Sequence, residues 1–284
     1  MARAPERFAV RRITVALDSS PHARAALAAA VDLAARLHAK MDALFVEDIT
    51  YAYLAELNLG REFVMSSGRS QPFDPQAIEG WYRRQAADAR RMAEALARDR
   101  HLAISFRVVR GKVDVEVVTA ARDADLLVLG VAGRSEVLRP QPGSTALAAA
   151  ARAPGSVLLI RPGTRVAGHA VVAYDGSPGA VRALEAAAML AEADEALRIS
   201  VLLLVGRGAD TATLQADATA RLEAMGVRPI GFRVLFNIAA DAMCGVVYDA
   251  GADLLILSAD NPAVAGDSRG QVLGAIRCPV LLVR

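Results

Sequence analysis

The chain has 284 residues, of which 54% are hydrophobic and 23% charged, enough apolar material for one large domain or two of ordinary size. Its 33 basic and 31 acidic side chains nearly cancel, and a net charge of +2 gives no electrostatic case for binding nucleic acid. We find no apolar run of the roughly 18 residues that span a membrane, and no secretory signal in the Arg-rich start. Two cysteines without ligand-like spacing favour a reduced, cytoplasmic protein with no metal site.

Short apolar runs alternate with helical patterns along the first half of the chain. The pattern predicts strands over 13–17, 41–46, 106–109, 125–130 and 157–160, and helices over 22–38, 75–98 and 113–122. Because strands that alternate with helices form a parallel sheet covered on both faces, we expect an α/β fold.

The same alternation of apolar runs and helical patterns then repeats in the second half of the chain. The turn that follows the first strand, Asp18-Ser19-Ser20-Pro21, has an echo 157 residues later in Asp175-Gly176-Ser177-Pro178. The fourth and fifth strands have later copies that end at Leu257 and Arg284. The sequence therefore predicts a tandem duplication with five strands and about four helices in each half. Turn residues at 162–165 mark the seam, which divides the chain into domains 1–163 and 164–284.

Glycines cluster where the fourth strand of the first half ends. Gly130 and Gly133 close the apolar run, and after nine intervening residues Gly143-Ser144-Thr145 opens an Ala-rich helix. Small residues and free N–H groups at a helix start are typical of a phosphate-binding loop. A strand–loop–helix connection with an ordinary Ser/Thr cap is the alternative.

The spacing Gly130-x2-Gly133-x9-Gly143-Ser144 resembles the nucleotide-binding pattern of the universal stress protein family, in its ATP-binding branch. The resemblance extends over nearly all of both halves. It implies two tandem doubly wound domains, each with a five-stranded parallel sheet of order 3-2-1-4-5, like the adenine-nucleotide alpha-hydrolases. The ligand is then expected at the carboxyl ends of strands 1 and 4, where the strand order reverses and opens a crevice.

By the same resemblance, eight residues are candidates for contact with the nucleotide. Those on the adenine and ribose side are Asp18 and Val46 (through its backbone), and those on the ribose and phosphate side are Leu129 and Gly130. Those on the phosphate side are Gly133, Gly143, Ser144 and Thr145. For Asp18, capping of the following helix is an alternative or additional role.

The second half departs from this pattern at three points. Ser258 and Asn261 take the places of Gly130 and Gly133, and only four residues separate Asn261 from the next glycine. Counted back from the last strand, Asp267 takes the place of Ser144 and brings a carboxylate to the phosphate position. We therefore expect the second half not to bind ATP.

The first half contains an excursion after strand 2 that the second half lacks. Val46 and Phe106 are 60 positions apart, whereas Val205 and Phe232 are 27 apart, so 33 residues are extra. The excursion, about 47–80, includes Tyr51, Tyr53, Leu54, Leu57, Leu59, Phe63 and Met65. It could pack on its own domain, cover the crevice as a lid, or form a protein–protein surface.

These observations favour a nucleotide-binding regulatory protein of the stress response over an enzyme. The ligand is expected to be ATP, with ADP or AMP as alternatives and Mg²⁺ as a companion of a triphosphate. No catalytic residue or metal ligand is assigned, so any hydrolysis should be slow. An ATP pyrophosphatase or adenylyl transferase would need a glycine-rich loop after strand 1, which is absent.

The alternative is a scaffold or dimerisation protein that binds no nucleotide. The last strand of each half is a candidate pairing edge, so we expect the halves to pack together and two chains to form a homodimer. A further protein partner is expected but not identified.

Overall fold

The structure is a computed structural model that describes residues 7–50, 53, 61–64, 69–72, 75–133, 141–206, 210–236 and 240–284. Within these ranges the first half contains the strands β1 (Arg12–Leu17), β2 (Lys40–Asp48), β3 (Arg61–Val64), β4 (Arg69–Pro72), β5 (Ile104–Gly111), β6 (Leu126–Gly130) and β7 (Ser156–Ile160). Its helices are α1 (Pro21–Leu37), α2 (Pro75–Asp99), α3 (Val113–Ala120) and α4 (Ser144–Arg152). A 3₁₀ turn (Ala121–Asp123) follows α3.

In the second half the strands are β8 (His169–Tyr174), β9 (Arg198–Val205), β10 (Gly231–Phe236), β11 (Leu254–Ser258) and β12 (Val280–Val283). The helices are α5 (Pro178–Ala193), α6 (Thr211–Ala224), α7 (Ala240–Asp249) and α8 (Ser268–Ala275), and a 3₁₀ turn (Pro262–Val264) precedes α8. In the part of the chain that the structure describes, no helix is long and apolar enough to cross a membrane.

Ten strands of the described chain form one sheet in the order β10-β9-β8-β11-β12-β7-β6-β1-β2-β5. The remaining two, β3 and β4, pair as an antiparallel hairpin within the excursion. Within each half the core strands are parallel and follow the order 3-2-1-4-5, as predicted. The α/β fold class is thereby confirmed.

Helices cover both faces of the sheet and bury two hydrophobic clusters against it. One cluster lies under helices α1, α2, α5 and α6, and the other lies under α3, α4, α7 and α8. Strands β7 and β11 are buried along their whole length, which explains why their sequences are continuous apolar runs without alternation.

The two halves are joined edge to edge by their last strands. Strand β12 pairs antiparallel with β7, with Leu281 opposite Leu158 and Leu282 opposite Val157. This pairing of the two fifth-strand edges within one chain confirms the predicted contact between the halves. A homodimer stays a prediction, and since both edges are already paired it would have to use another surface. The proposed domain boundary at 163 lies in the connection between β7 and β8 and also stays a prediction.

Candidate functional site

A cavity of about 710 Å³ lies at the carboxyl ends of β1, β2 and β6, beside the start of α4. Its wall includes all eight residues singled out from the sequence: Asp18, Val46, Leu129, Gly130, Gly133, Gly143, Ser144 and Thr145. They come from four separate segments of the chain, and the fold brings them to one place. Their roles toward a ligand stay predictions.

The turn after β1 is held by two short side chains. The carboxylate of Asp18 accepts a hydrogen bond from the Ser20 N–H at 3.0 Å, and the Ser20 hydroxyl accepts one from the Ala23 N–H at 3.0 Å. Ser20 is therefore the N-cap of α1, and Asp18 shapes the turn before it. Between them, Ser19 has a φ of 63°, a left-handed conformation that is uncommon for a residue other than glycine.

The two glycines after β6 sit against this turn and the start of α1. A Cβ on Gly133 would lie 3.3 Å from Oδ2 of Asp18, so the glycine and the carboxylate are neighbours in the cavity wall. A Cβ on Gly130 would lie 2.6 Å from the Cβ of His22, the second residue of α1. Gly130 is thus required for helix packing, whatever it does for a ligand.

Helix α4 presents its amino end to the cavity. Gly143 is its N-cap, and the Gly143 N–H is fixed by a 2.8 Å hydrogen bond to the Val131 carbonyl. The hydroxyls of Ser144 and Thr145 follow in the first turn. A glycine cap offers no side-chain oxygen to the first N–H groups of the helix, and the positive end of the helix dipole lies there as well. This end of the cavity suits an anion.

Other parts of the cavity wall are apolar and aromatic, and most of their residues were not anticipated from the sequence. Phe45 of β2 and Val117 of α3 lie there, together with Ile78, Trp81 and Tyr82 of α2. The Trp81 and Tyr82 rings meet edge to face, with centroids 4.9 Å apart and an interplanar angle of 71°. The Tyr82 hydroxyl donates a hydrogen bond to the Asp48 carbonyl at 3.1 Å, which ties α2 to the end of β2.

The α2 wall lies where the excursion ends, at about residue 80. Helix α2 has 25 residues and α6, its counterpart, has 14. Both end in the same way, with Leu102 N–H bonded to Ala97 O and Val227 N–H bonded to Leu222 O, so the eleven extra residues are the first eleven. All the cavity-lining residues of α2, which run from Ala77 to Arg84, lie in this part. This fits the lid alternative. Most of the remaining excursion lies outside the described residues.

Charged groups are few at this site. The lining carboxylates are those of Asp18 and Asp48, and the lining basic group among the described residues is Arg84. In the described part of the chain, no cluster of three or more His, Cys, Asp or Glu is placed to hold a metal ion. Next to the wall, burial lowers the pKa of His22, and the nearby Arg161 lowers it further against the opposing effect of Asp18.

The corresponding part of the second half is built differently. Ser258 ends β11 where Gly130 ends β6, and its side chain packs where a Cβ on Gly179 of α5 would lie. Asn261 caps the 3₁₀ turn, and its side chain accepts the Ala263 N–H at 2.9 Å. The Tyr174 hydroxyl, at the end of β8, donates a hydrogen bond to the Asp217 carboxylate of α6.

Asp267 immediately precedes the first residue of α8 and has helical dihedral angles, with φ at −70° and ψ at −26°, whereas Gly143 before α4 is extended. Counted from the helix ends, where Ala153 N–H bonds to Ala149 O and Ile276 N–H bonds to Val272 O, Asp267 takes the place of Ser144. Its carboxylate therefore lies at the start of the helix.

Fold and cavity together define a two-domain, doubly wound α/β protein with a small-molecule crevice in its first half. Residues 64–161 match the model of the universal stress protein family. The whole chain is similar to a universal stress protein from Archaeoglobus fulgidus DSM 4304, at a TM-score of 0.73 and 15% identity over 96% of each chain. A protein of Pseudomonas aeruginosa UCBPP-PA14 named for the same family matches at a TM-score of 0.56 and 14% identity, over 97% of this chain and 94% of that chain. The sequence matches none of the curated proteins.

Residues 64–161 of the chain therefore resemble the universal stress protein family, and the whole chain has the same fold as these two proteins.

Proposed function

We propose that the first half binds an adenine nucleotide, ATP in particular, and that the protein acts as a regulatory component of the stress response. The observation that carries this proposal is the convergence of the eight candidate residues on one cavity. A volume of about 710 Å³ lies within the usual range for small-molecule sites, about 300–1,000 Å³.

Different parts of the cavity wall fit different parts of a nucleotide. The amino end of α4, with Gly143, Ser144 and Thr145, suits the phosphates. The apolar residues of β2 and α2 suit the planar base, and the Asp18 carboxylate can accept hydrogen bonds from hydroxyl or amino groups. ADP and AMP share the adenosine part and are the alternatives to ATP.

The second half is proposed to be inactive toward ATP. A phosphate placed at the start of α8 as it would lie at the start of α4 would meet the Asp267 carboxylate. Two unit charges about 4 Å apart repel by roughly 4 kcal/mol at an effective dielectric near 20, which outweighs several hydrogen bonds to neutral donors. Ser258 and Asn261 replace the glycines that would let a ligand approach the backbone.

The residues of the cavity support binding rather than turnover. Asp18 already accepts the Ser20 N–H, and no acid–base constellation is proposed around it. Mg²⁺ would enter with a triphosphate and neutralise part of its charge, and its ligands would then be phosphate oxygens and water. Partner contact, homodimerisation and a cytoplasmic location are parts of the same proposal.

The test is calorimetric titration of ATP into the purified, nucleotide-stripped protein and its Gly143→Asp variant. We expect micromolar binding at one site per chain, lost in the variant. Gly270→Asp is the matched control: it adds the same charge to α8, where a Cβ meets nothing within 4 Å, and should bind as the unaltered protein does. No binding heat, with no nucleotide in the protein as purified, would favour the scaffold alternative.

A further inference from the structure

The carboxyl-terminal end of α4, the helix whose amino end lines the cavity, is held by the other half of the chain. In a continuing helix the Ala150 carbonyl would accept the N–H of residue 154, but that residue is Pro154 and has no N–H. The donor comes instead from Arg284, whose Nη2 lies 2.6 Å from the Ala150 oxygen and whose Nη1 lies 3.5 Å from the Gly155 oxygen.

An equivalent contact runs in the other direction, from the first half to the second. Arg161 follows β7 as Arg284 follows β12, and it reaches into the second half at the end of α8. Its Nη2 donates to the Leu273 oxygen at 2.7 Å and to the Gly274 oxygen at 3.0 Å, and its Nε donates to the Ile276 oxygen at 2.9 Å. Both arginines are therefore cations at the carboxyl end of a helix of the other half, a favourable place for positive charge.

Helix α4 depends on such contacts because it is short. A helix of nine residues is not stable by itself, so its position is set by what it touches. At its start the Gly143 N–H is bonded to Val131 O, and near its end Arg152 pairs with Asp114 of α3 at 2.9 Å. The hydrogen bond from Arg284 to the Ala150 carbonyl holds this end of α4 to the second half.

We propose that Arg284 is a positioning residue for the anion end of the first-half cavity, through which the second half regulates how tightly phosphate is held. The inference rests on the proposed function, since it assumes a phosphate-bearing ligand at the start of α4. Arg284 touches the far end of α4 and acts on the ligand only by fixing the helix. The second half thereby contributes to a site it does not line.

The test compares two ligands and two variants. ATP and adenosine are titrated into the unaltered protein, Arg284→Met and Arg36→Met, all carrying any tag at the amino end. ATP affinity in Arg284→Met should fall roughly five-fold or more, the lower range of measured couplings, and adenosine affinity should stay within two-fold. Arg36→Met also removes hydrogen bonds to the second half, at Asp194 and the Val166 carbonyl, yet should leave both affinities within two-fold, because Arg36 lies near the end of α1 that is remote from the cavity.

The outcomes separate the two proposals. If the unaltered protein binds neither ligand, the proposed function fails and the role of Arg284 fails with it. If it binds ATP and Arg284→Met binds ATP equally well, only the role of Arg284 is refuted. Equal loss of ATP and adenosine affinity in Arg284→Met, or equal loss of ATP affinity in both variants, would mean general destabilisation and would also refute it. Should Arg284→Met not fold, Arg284→Gln replaces it: this variant removes the charge at the end of α4, so its ATP affinity should fall while its adenosine affinity stays within two-fold, and an unchanged ATP affinity would refute the role of Arg284.

Discussion

Gly130 and His22 are packed so closely that the glycine has no room for a side chain. The second half makes the same strand–helix contact, but there the glycine is on the helix and the larger residue is on the strand. In the first half the larger residue is on the helix, and a Cβ on Gly130 would lie 2.6 Å from the Cβ of His22. In the second half the glycine is on the helix, and a Cβ on Gly179 would lie 2.2 Å from Oγ of Ser258. One side chain fits between strand end and helix in each half.

This exchange predicts that two single substitutions are harmful and that their combination is tolerated. Gly130→Ser should lower the free energy of unfolding by about 1–3 kcal/mol through overpacking. Gly130→Ser with His22→Gly copies the pair found in the second half and should regain most of that loss. Urea denaturation of the four proteins of the double-mutant cycle measures the coupling.

A coupling near zero would show that Gly130 and His22 do not share space. Ser258→Gly serves as the control, since it removes a side chain from the equivalent place in the second half without creating an overlap.

Trp81 should report on occupancy of the cavity. It is the chain's one tryptophan, so its fluorescence comes from the α2 wall alone. Addition of ATP should change the intensity or wavelength of emission. Trp81→Leu should weaken ATP binding by about 1–3 kcal/mol, the usual effect of removing an aromatic ring stacked on a base, whereas Trp81→Phe should retain most of the affinity. Saturable ATP binding without any change of Trp81 emission would place the base elsewhere.

His22 should make the protein less stable in acid. Burial, and then the charge of Arg161, lower its pKa in the folded protein below its ordinary value of 6.5. The stabilisation from a neutral His22 is therefore complete above pH 6.5 and is lost as the pH falls through the lower folded pKa. His22→Gln should remove this part of the pH dependence, and Arg161→Met should raise the pKa of His22, as followed by NMR titration of the ring.

Tyr174 should make the protein less stable in alkali. Burial, and then its hydrogen bond to Asp217, raise its pKa from 10.0 to about 12. The neutral phenol is favoured in the folded state, so its stabilising effect is complete below pH 10 and is lost as the pH rises toward 12. Tyr174→Phe should flatten the fall in melting temperature between pH 10 and 12. Tyr248→Phe is the control, since that side chain is 75% exposed.

Much of the architecture was predictable because it follows from burial. A strand covered on both faces, such as β6, reads as an unbroken apolar run, and a Ser-Pro pair such as Ser20-Pro21 marks a helix start. Once the strands and their repeat are known, the crevice follows from the strand order. The strand order and the eight wall residues, by contrast, were named from the resemblance to the universal stress protein family.

What escaped prediction depends on contacts between distant segments. The pattern of α2 shows which face is apolar but not that its first eleven residues line a cavity as well as a core. Gly130 was interpreted only as a ligand-binding glycine, because the sequence does not reveal that His22 lies against it. Arg161 and Arg284 were noticed as repeats. That each of them bonds to a helix of the other half depends on the antiparallel pairing of β7 with β12, which the sequence does not show.

The antiparallel pairing of β7 with β12 also orients the two halves in opposite directions. Since the strands within each half are parallel and β12 runs against β7, the carboxyl ends of the two sets of strands lie at opposite edges of the sheet. In a symmetric dimer every substitution is made in both subunits, so a site can be lost only from both. In this chain a substitution can alter one half and leave the other unchanged. Because the carboxyl ends of the strands lie at opposite edges of the sheet, each half can change its own edge independently. Such a chain permits the two halves to take different roles, which two identical subunits cannot do: one half can bind a ligand while the other stabilises the binding half.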